Sequence, residues 1–184
     1  VLDQRLDAVG LNSIGHQRVA ELGGLAAHYH DTGKAHPDWQ SQCLAGETVP
    51  PHSARSAVYT FAAIRETDLS EVEALAVILA VLHHHTPFAA DHMQVETALT
   101  PRDLGGKPGE SMVANLEAAG YSGASLTPAT VEQFQTQMQY CRQQLTAART
   151  PDQYRQLGFL VAIIRAALIQ ADQYASAQEK GQAA

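Results

Sequence analysis

Apolar residues recur along this chain at intervals of three and four, and there is no clean run in which they alternate with polar ones. That spacing lines one side of an α-helix, whereas a half-buried strand needs a period of two. Val19, Leu22, Leu25 and Ala26 repeat in this way and lead into His30-Asp31. Ser53 to Arg65, behind Pro50-Pro51, puts Ala54, Ala57, Val58, Phe61 and Ile64 on one side. Ser70 predicts an N-cap, and Glu73 three residues on completes a capping box. The helix that starts there runs through Leu75, Ile78, Leu79 and Leu82 into His83-His84-His85, and Pro87 closes it. Thr130 to Arg149 is a Gln-rich amphipathic helix carrying Val131, Phe134, Met138, Cys141 and Leu145. A last helix from Pro151 to about Ala177 is the most apolar, and hence is predicted to be central. Residues 89–128, rich in Gly, Pro, Ser and Asp, read as a long irregular connection with one short helix near Met112 to Ala119. The expectation is an all-α fold: one domain over residues 1–177, with 178–184 a polar tail or truncated linker.

With 184 residues the chain is long enough to bury a core without staples. Cys43 and Cys141 stand far apart and form no CxxC pair, so neither a zinc finger nor a disulfide framework is predicted. No stretch approaches the roughly 18 uninterrupted apolar residues of a membrane span, and no charged-then-apolar leader opens the chain. The expectation is a cytoplasmic protein without a membrane partner. The chain starts on Val1, as a processed start or a piece of a longer protein would. Its net charge of −7 argues against gripping nucleic acid by charge alone. A nuclease stays compatible with that charge, because bound divalent cations turn an acidic pocket locally positive.

The nine histidines are unevenly placed, with His83, His84 and His85 consecutive. Such a run is poor core filler, since each buried ring nitrogen needs a partner. Histidines and carboxylates recur at or near predicted helix ends: His30-Asp31 with Lys34, then His52, then His83 to His85, then Asp172. Mn, Fe, Co and Ni all accept such a mixture of imidazole and carboxylate. Adjacent ligands on one helix point about 100° apart, which follows from 3.6 residues per turn. His30 and Asp31 could therefore serve two neighbouring metals, with the Asp31 carboxylate bridging through its two oxygens. Two metals about 3.5–4 Å apart are a recurring device for phosphoryl transfer. For Asp172, in the most apolar helix, a salt bridge to Arg165 is the competing explanation.

These residues resemble a known family. Ala27-His28-Tyr29-His30-Asp31-Thr32-Gly33-Lys34 resembles the signature of the HD superfamily of metal-dependent phosphohydrolases. The continuation Ala35-His36-Pro37-Asp38-Trp39-Gln40, with its aromatic-Gln pair, is similar to the HD nuclease domain of the nuclease-helicase effector of type I CRISPR interference systems. The related HD domain that opens the large subunit of the type I-D effector complex is an equal match. Pro51-His52-Ser53-Ala54-Arg55-Ser56 resembles the family's next motif, a His followed four positions later by Ser. A histidine doublet follows at a fitting distance, and Asp172-Gln173-Tyr174-Ala175-Ser176 resembles the closing Asp with a downstream Ser.

The resemblance implies a single HD-type helical domain that cuts single-stranded DNA in antiviral defence with two divalent metal ions (Mn, Ni, Co, Fe or Mg). It implies His30, Asp31, His52, two of His83, His84 and His85, and Asp172 as ligands, with His84 and His85 the preferred doublet and His83 the alternative. Lys34 would contact the scissile phosphate or its attacking water. The family places one more ligand histidine on a separate, earlier helix; here His16, fourteen positions ahead of His30, is the candidate. The implied partners are single-stranded DNA and a helicase domain or CRISPR surveillance complex. Two other readings compete: an HD phosphohydrolase of nucleotides or cyclic nucleotides, and a metal-stabilised helical scaffold that only docks partners.

Overall fold

The structure, a computed structural model, describes residues 15–86, 104–121, 124–146 and 152–179. Among them are seven α-helices, one 3-10 turn and no strand. The helices are α1 (His16–Tyr29), α2 (Pro37–Leu44), α3 (Ser53–Ala63), α4 (Glu71–Leu82), α5 (Lys107–Ala118), α6 (Pro128–Thr146) and α7 (Asp152–Glu179). The 3-10 turn, Thr32–Ala35, joins α1 to α2. The all-α expectation holds.

The centre of the fold is α4, not the last helix. Its residues from Leu75 to Val81 are all buried, which requires neighbours all round it, and α1, α3 and α7 provide them. The predicted capping box is formed: Ser70 Oγ accepts from the Glu73 N–H, and the Glu73 carboxylate accepts from the Ser70 N–H at 2.8 Å. Arg18 of α1 adds two bonds to that same carboxylate, at 2.6 and 3.2 Å. The start of α4 is thereby tied to α1.

In α7, among the described side chains, only one stripe is buried, comprising Leu157, Leu160, Val161, Ile164 and Leu168. The alanines that made this helix look the most apolar, Ala162, Ala166 and Ala167, are exposed. By length and composition the stretch Gln156–Ala175 could cross a membrane. Counting uninterrupted apolar residues did not single it out, because Arg165, Gln170 and Asp172 interrupt it. Its buried stripe joins the common core, where α7 packs against α4 and α1.

Part of the predicted irregular connection is helical. Its helix, α5, starts earlier than expected, with Pro108 in the first turn and Met112 and Leu116 buried. Two polar contacts dock this segment on the end of α1 and the turn after it. Asn115 Nδ2 donates to the Ala35 carbonyl at 2.9 Å, and the Tyr121 hydroxyl donates to the His28 carbonyl at 3.0 Å. Residues 89–103 and 122–123 of the connection, Pro87 and the predicted tail from Lys180 on lie outside the described residues, whereas Gln178 and Glu179 belong to α7.

Candidate metal centre

Both paired-ligand motifs sit just past a helix end, and this decides their geometry. The last helical residue of α1 is Tyr29; His30 caps it, donating its N–H to the Ala26 carbonyl at 2.9 Å. At Asp31 the backbone leaves helical geometry, with φ −102° and ψ 1°. The helix α4 likewise stops at Leu82, before the histidines rather than beyond them. His83 has φ −107° and ψ 17°, and its carbonyl accepts from the Thr86 N–H at 3.1 Å. The 100° divergence expected of neighbours on one helix is thus removed, and His84 and His85 turn toward the same point.

The turn carrying Asp31 is pressed against the start of α3. The Gly33 N–H donates to Ser56 Oγ at 2.8 Å. A Cβ on Gly33 would run into the His52 carbonyl oxygen and the Ser56 backbone nitrogen, so only glycine permits this approach. The Ser four positions after His52 therefore serves as an anchor for the turn. Gln40 of α2 has a matching role: its Nε2 donates to the Lys34 carbonyl at 2.6 Å. Trp39 presents its ring edge-on to His52, with centroids 6.4 Å apart.

Six side chains converge in two groups of potential metal ligands. His52, His84 and His85 form one, and His30, Asp31 and Asp172 form the other; within each group the ligand atoms lie within 4.8 Å of one another. In the first, His52 Nε2 is 3.3 Å from both His84 Nε2 and His85 Nε2. In the second, His30 Nε2 is 3.4 Å from Asp31 Oδ2 and 3.7 Å from Asp172 Oδ1. Asp31 joins the two, because its other oxygen, Oδ1, is 2.9 Å from His52 Nε2.

The backbone sets the tautomers of two of these rings. His84 Nδ1 is 2.6 Å from the Val81 carbonyl, and His30 Nδ1 is 2.8 Å from the Ala27 carbonyl. A carbonyl only accepts, so Nδ1 carries the proton in each ring and the Nε2 lone pair faces the cluster, as ligation requires. His30 Nε2 is buried and has no hydrogen-bond partner, a state that a metal ion would relieve. Burial pushes His84 down to about 4, overriding the Val81 hydrogen bond, and burial with His52 nearby also lowers His85. These rings therefore stay neutral at physiological pH. Burial alone would raise the Asp31 carboxyl, but hydrogen bonds from His52 and Lys34 outweigh it and hold it well below the carboxylate range. A donor set of imidazoles with an ionised carboxylate fits a divalent transition metal.

The remaining candidates are placed as follows. His83 is buried but outside both groups; its Nδ1 is 3.2 Å from Thr86 Oγ1. His16 is the first residue of α1, and its side chain lies outside the described ones. Lys34 Nζ donates to Asp31 Oδ2 at 2.7 Å. Asp172 is not sunk in the apolar side of α7; its side chain is 46% exposed and faces His30. Arg165 does not pair with it. Instead, Arg165 Nε donates to the His83 carbonyl at 2.6 Å, bracing the turn that carries His84 and His85. This bracing is invisible in the sequence, since the partner is a backbone atom 82 positions away.

No protein family, curated protein or solved structure matches the chain.

Proposed function

We propose that this chain is an HD-type metal-dependent phosphodiesterase that hydrolyses single-stranded DNA with two divalent ions, as a nuclease of a CRISPR interference system. The reading rests first on Asp31, whose carboxylate offers one oxygen to the His52 group and the other to the His30 group. A bridging carboxylate between two neighbouring ligand sets is what a two-ion phosphoryl-transfer site needs. Ions bound there would supply Lewis acidity toward the phosphate and a water of lowered pKa.

The protein's own groups do the rest. His52, His84 and His85 would hold one ion, and His30 and Asp172 the other, with Asp31 shared. The backbone carbonyls of Val81 and Ala27 keep two of those rings aimed. Lys34, with its ammonium at the shared carboxylate, stands where it neutralises charge building on the phosphate. The motif resemblance supports single-stranded DNA as the substrate, delivered by a helicase domain or a surveillance complex in the cytoplasm.

The direct test supplies Mn, Ni, Co, Fe or Mg to chelator-treated protein. Cleavage is then followed on matched single- and double-stranded oligonucleotides and on nucleotides and cyclic nucleotides. Faster cutting of the single strand is the expected result. Equal rates on both DNA forms, or turnover of the nucleotides alone, would overturn the substrate assignment.

A further inference from the structure

Resting on the phosphodiesterase reading above, we propose that Arg55 and Trp39 form a second phosphate subsite, which holds a backbone phosphate flanking the one being cut. Arg55 follows His52 by three residues, one turn along α3, so both project from the same face of that helix. The Trp39 ring meets that of His52 nearly at right angles, with centroids 6.4 Å apart, and Lys34 Nζ stands 5.9 Å from the centre of the Trp39 ring. These groups therefore border the metal-ligating cluster without being part of it.

Their hydrogen-bonding state identifies the ligand. Arg55 Nε, Arg55 Nη1 and Trp39 Nε1 are all buried, and none has a hydrogen-bond partner. The side chain of Arg55 is only 13% exposed. Asp38 lies nearby, but its Oδ2 is 3.8 Å from Arg55 Nη2, too far for a hydrogen bond, and its side chain is 62% exposed to water. Guanidinium and indole N–H groups donate and never accept. Burying such donors without acceptors is costly, and the cost disappears when an acceptor is supplied. What completes the site must be rich in acceptors and negatively charged, which describes the phosphate oxygens of a nucleic-acid strand. The planar fork of arginine suits two such oxygens at once.

This phosphate differs from the scissile one. Lys34 is bonded to Asp31 between the two ligand groups, whereas Arg55 lies beside Asp38, 3.8 Å away, which belongs to neither group. A site with both cations in use takes a substrate carrying at least two phosphates in a row. A strand satisfies that requirement, and a nucleoside monophosphate does not.

The test measures binding of a fluorescent single-stranded oligothymidylate with phosphorothioate linkages to the metal-loaded protein across a range of salt. Arg55→Gln should weaken binding about tenfold and reduce the slope of log Kd against log salt by about 1, because one phosphate contact is lost. Its metal content and circular dichroism should match wild type. Trp39→Phe keeps the ring but removes the N–H, so it should weaken binding severalfold with the slope unchanged. A folded Arg55→Gln protein with wild-type Kd and slope overturns the proposal, and so does loss of its metal. Should Arg55→Gln fail to fold, Arg55→Lys decides. It keeps the charge and loses the fork, so weaker binding at an unchanged slope supports the subsite and wild-type affinity overturns it. Absence of cleavage by wild type alongside the tenfold binding difference would sink the phosphodiesterase reading and leave the subsite standing. Cleavage without the difference would do the reverse.

Discussion

Asp31 and Lys34 are three positions apart and bonded to each other at 2.7 Å, yet the proposed chemistry gives them different work. Asp31 touches both ligand groups through different oxygens. Asp31→Ala should therefore lower metal content and cleavage together, because each group loses an anionic ligand and nothing spaces them. A protonated amine has no lone pair, so Lys34 cannot ligate in that state. Lys34→Ala should keep its metal while turnover falls by about 10²–10³, the usual cost of losing a charge-stabilising donor. Elemental analysis and single-turnover cleavage on the two variants check this. An empty Lys34→Ala protein, or wild-type cleavage by Asp31→Ala, would reverse the roles.

At the scale of elements, the ligand pairs depend on how two helices end. The end of α4 is held by Arg165, which reaches from α7 to the His83 carbonyl. A cation at a helix C-terminus is favoured by the helix dipole, and here it also points the following turn inward. Arg165→Ala should release that turn and weaken metal binding about 10- to 100-fold, the range typical of groups that orient ligands. Arg165→Lys, which retains a charged donor, should recover part of the loss. Metal titration followed by a competing chelator distinguishes the three proteins. Equal affinities in all three would show that the turn needs no brace. The existence of α4 and its capping box was legible from Ser70, Glu73 and the apolar period. Its stopping point was not: Pro87 marks the latest possible end, whereas the actual end is at Leu82, with the next carbonyl, that of His83, taken up by Arg165 of α7.

For the whole molecule, acid is the informative perturbation. In the folded protein His84 is held at about 4 by burial, down from its ordinary 6.5. Between those values the unfolded chain takes up a proton that the folded one refuses, so stability falls as pH drops from about 6.5 toward 4. Glu73 acts in a lower window. Its bond to Arg18 lowers it from 4.5 to about 2, so its contribution is complete above 4.5 and is lost as pH falls toward 2. Thermal denaturation of chelator-treated protein should show both limbs. His84→Gln should flatten the upper limb and leave the lower one, and Glu73→Gln should do the opposite. An upper limb unchanged in His84→Gln would show that this ring does not carry the acid sensitivity.

By itself the sequence determined the fold class, because a 3.6-residue apolar period admits little but helices, and it marked the residue types able to bind metal. The aromatic-Gln pair and the Ser four positions after His52 were also legible, though only as motif. Tertiary structure supplied their reasons: Gln40 bonds the Lys34 carbonyl, and Ser56 accepts from Gly33. The resemblance already preferred His84 and His85 over His83; the tertiary structure groups those two, and not His83, with His52, because the three neighbours differ in where the backbone turns them. It alone moved the centre of the fold from α7 to α4, because composition counts alanines without showing which of them face water. And it alone put one oxygen of Asp31 beside His52, a contact between residues 21 positions apart that no local period encodes, since it depends on how the α1 turn packs on α3.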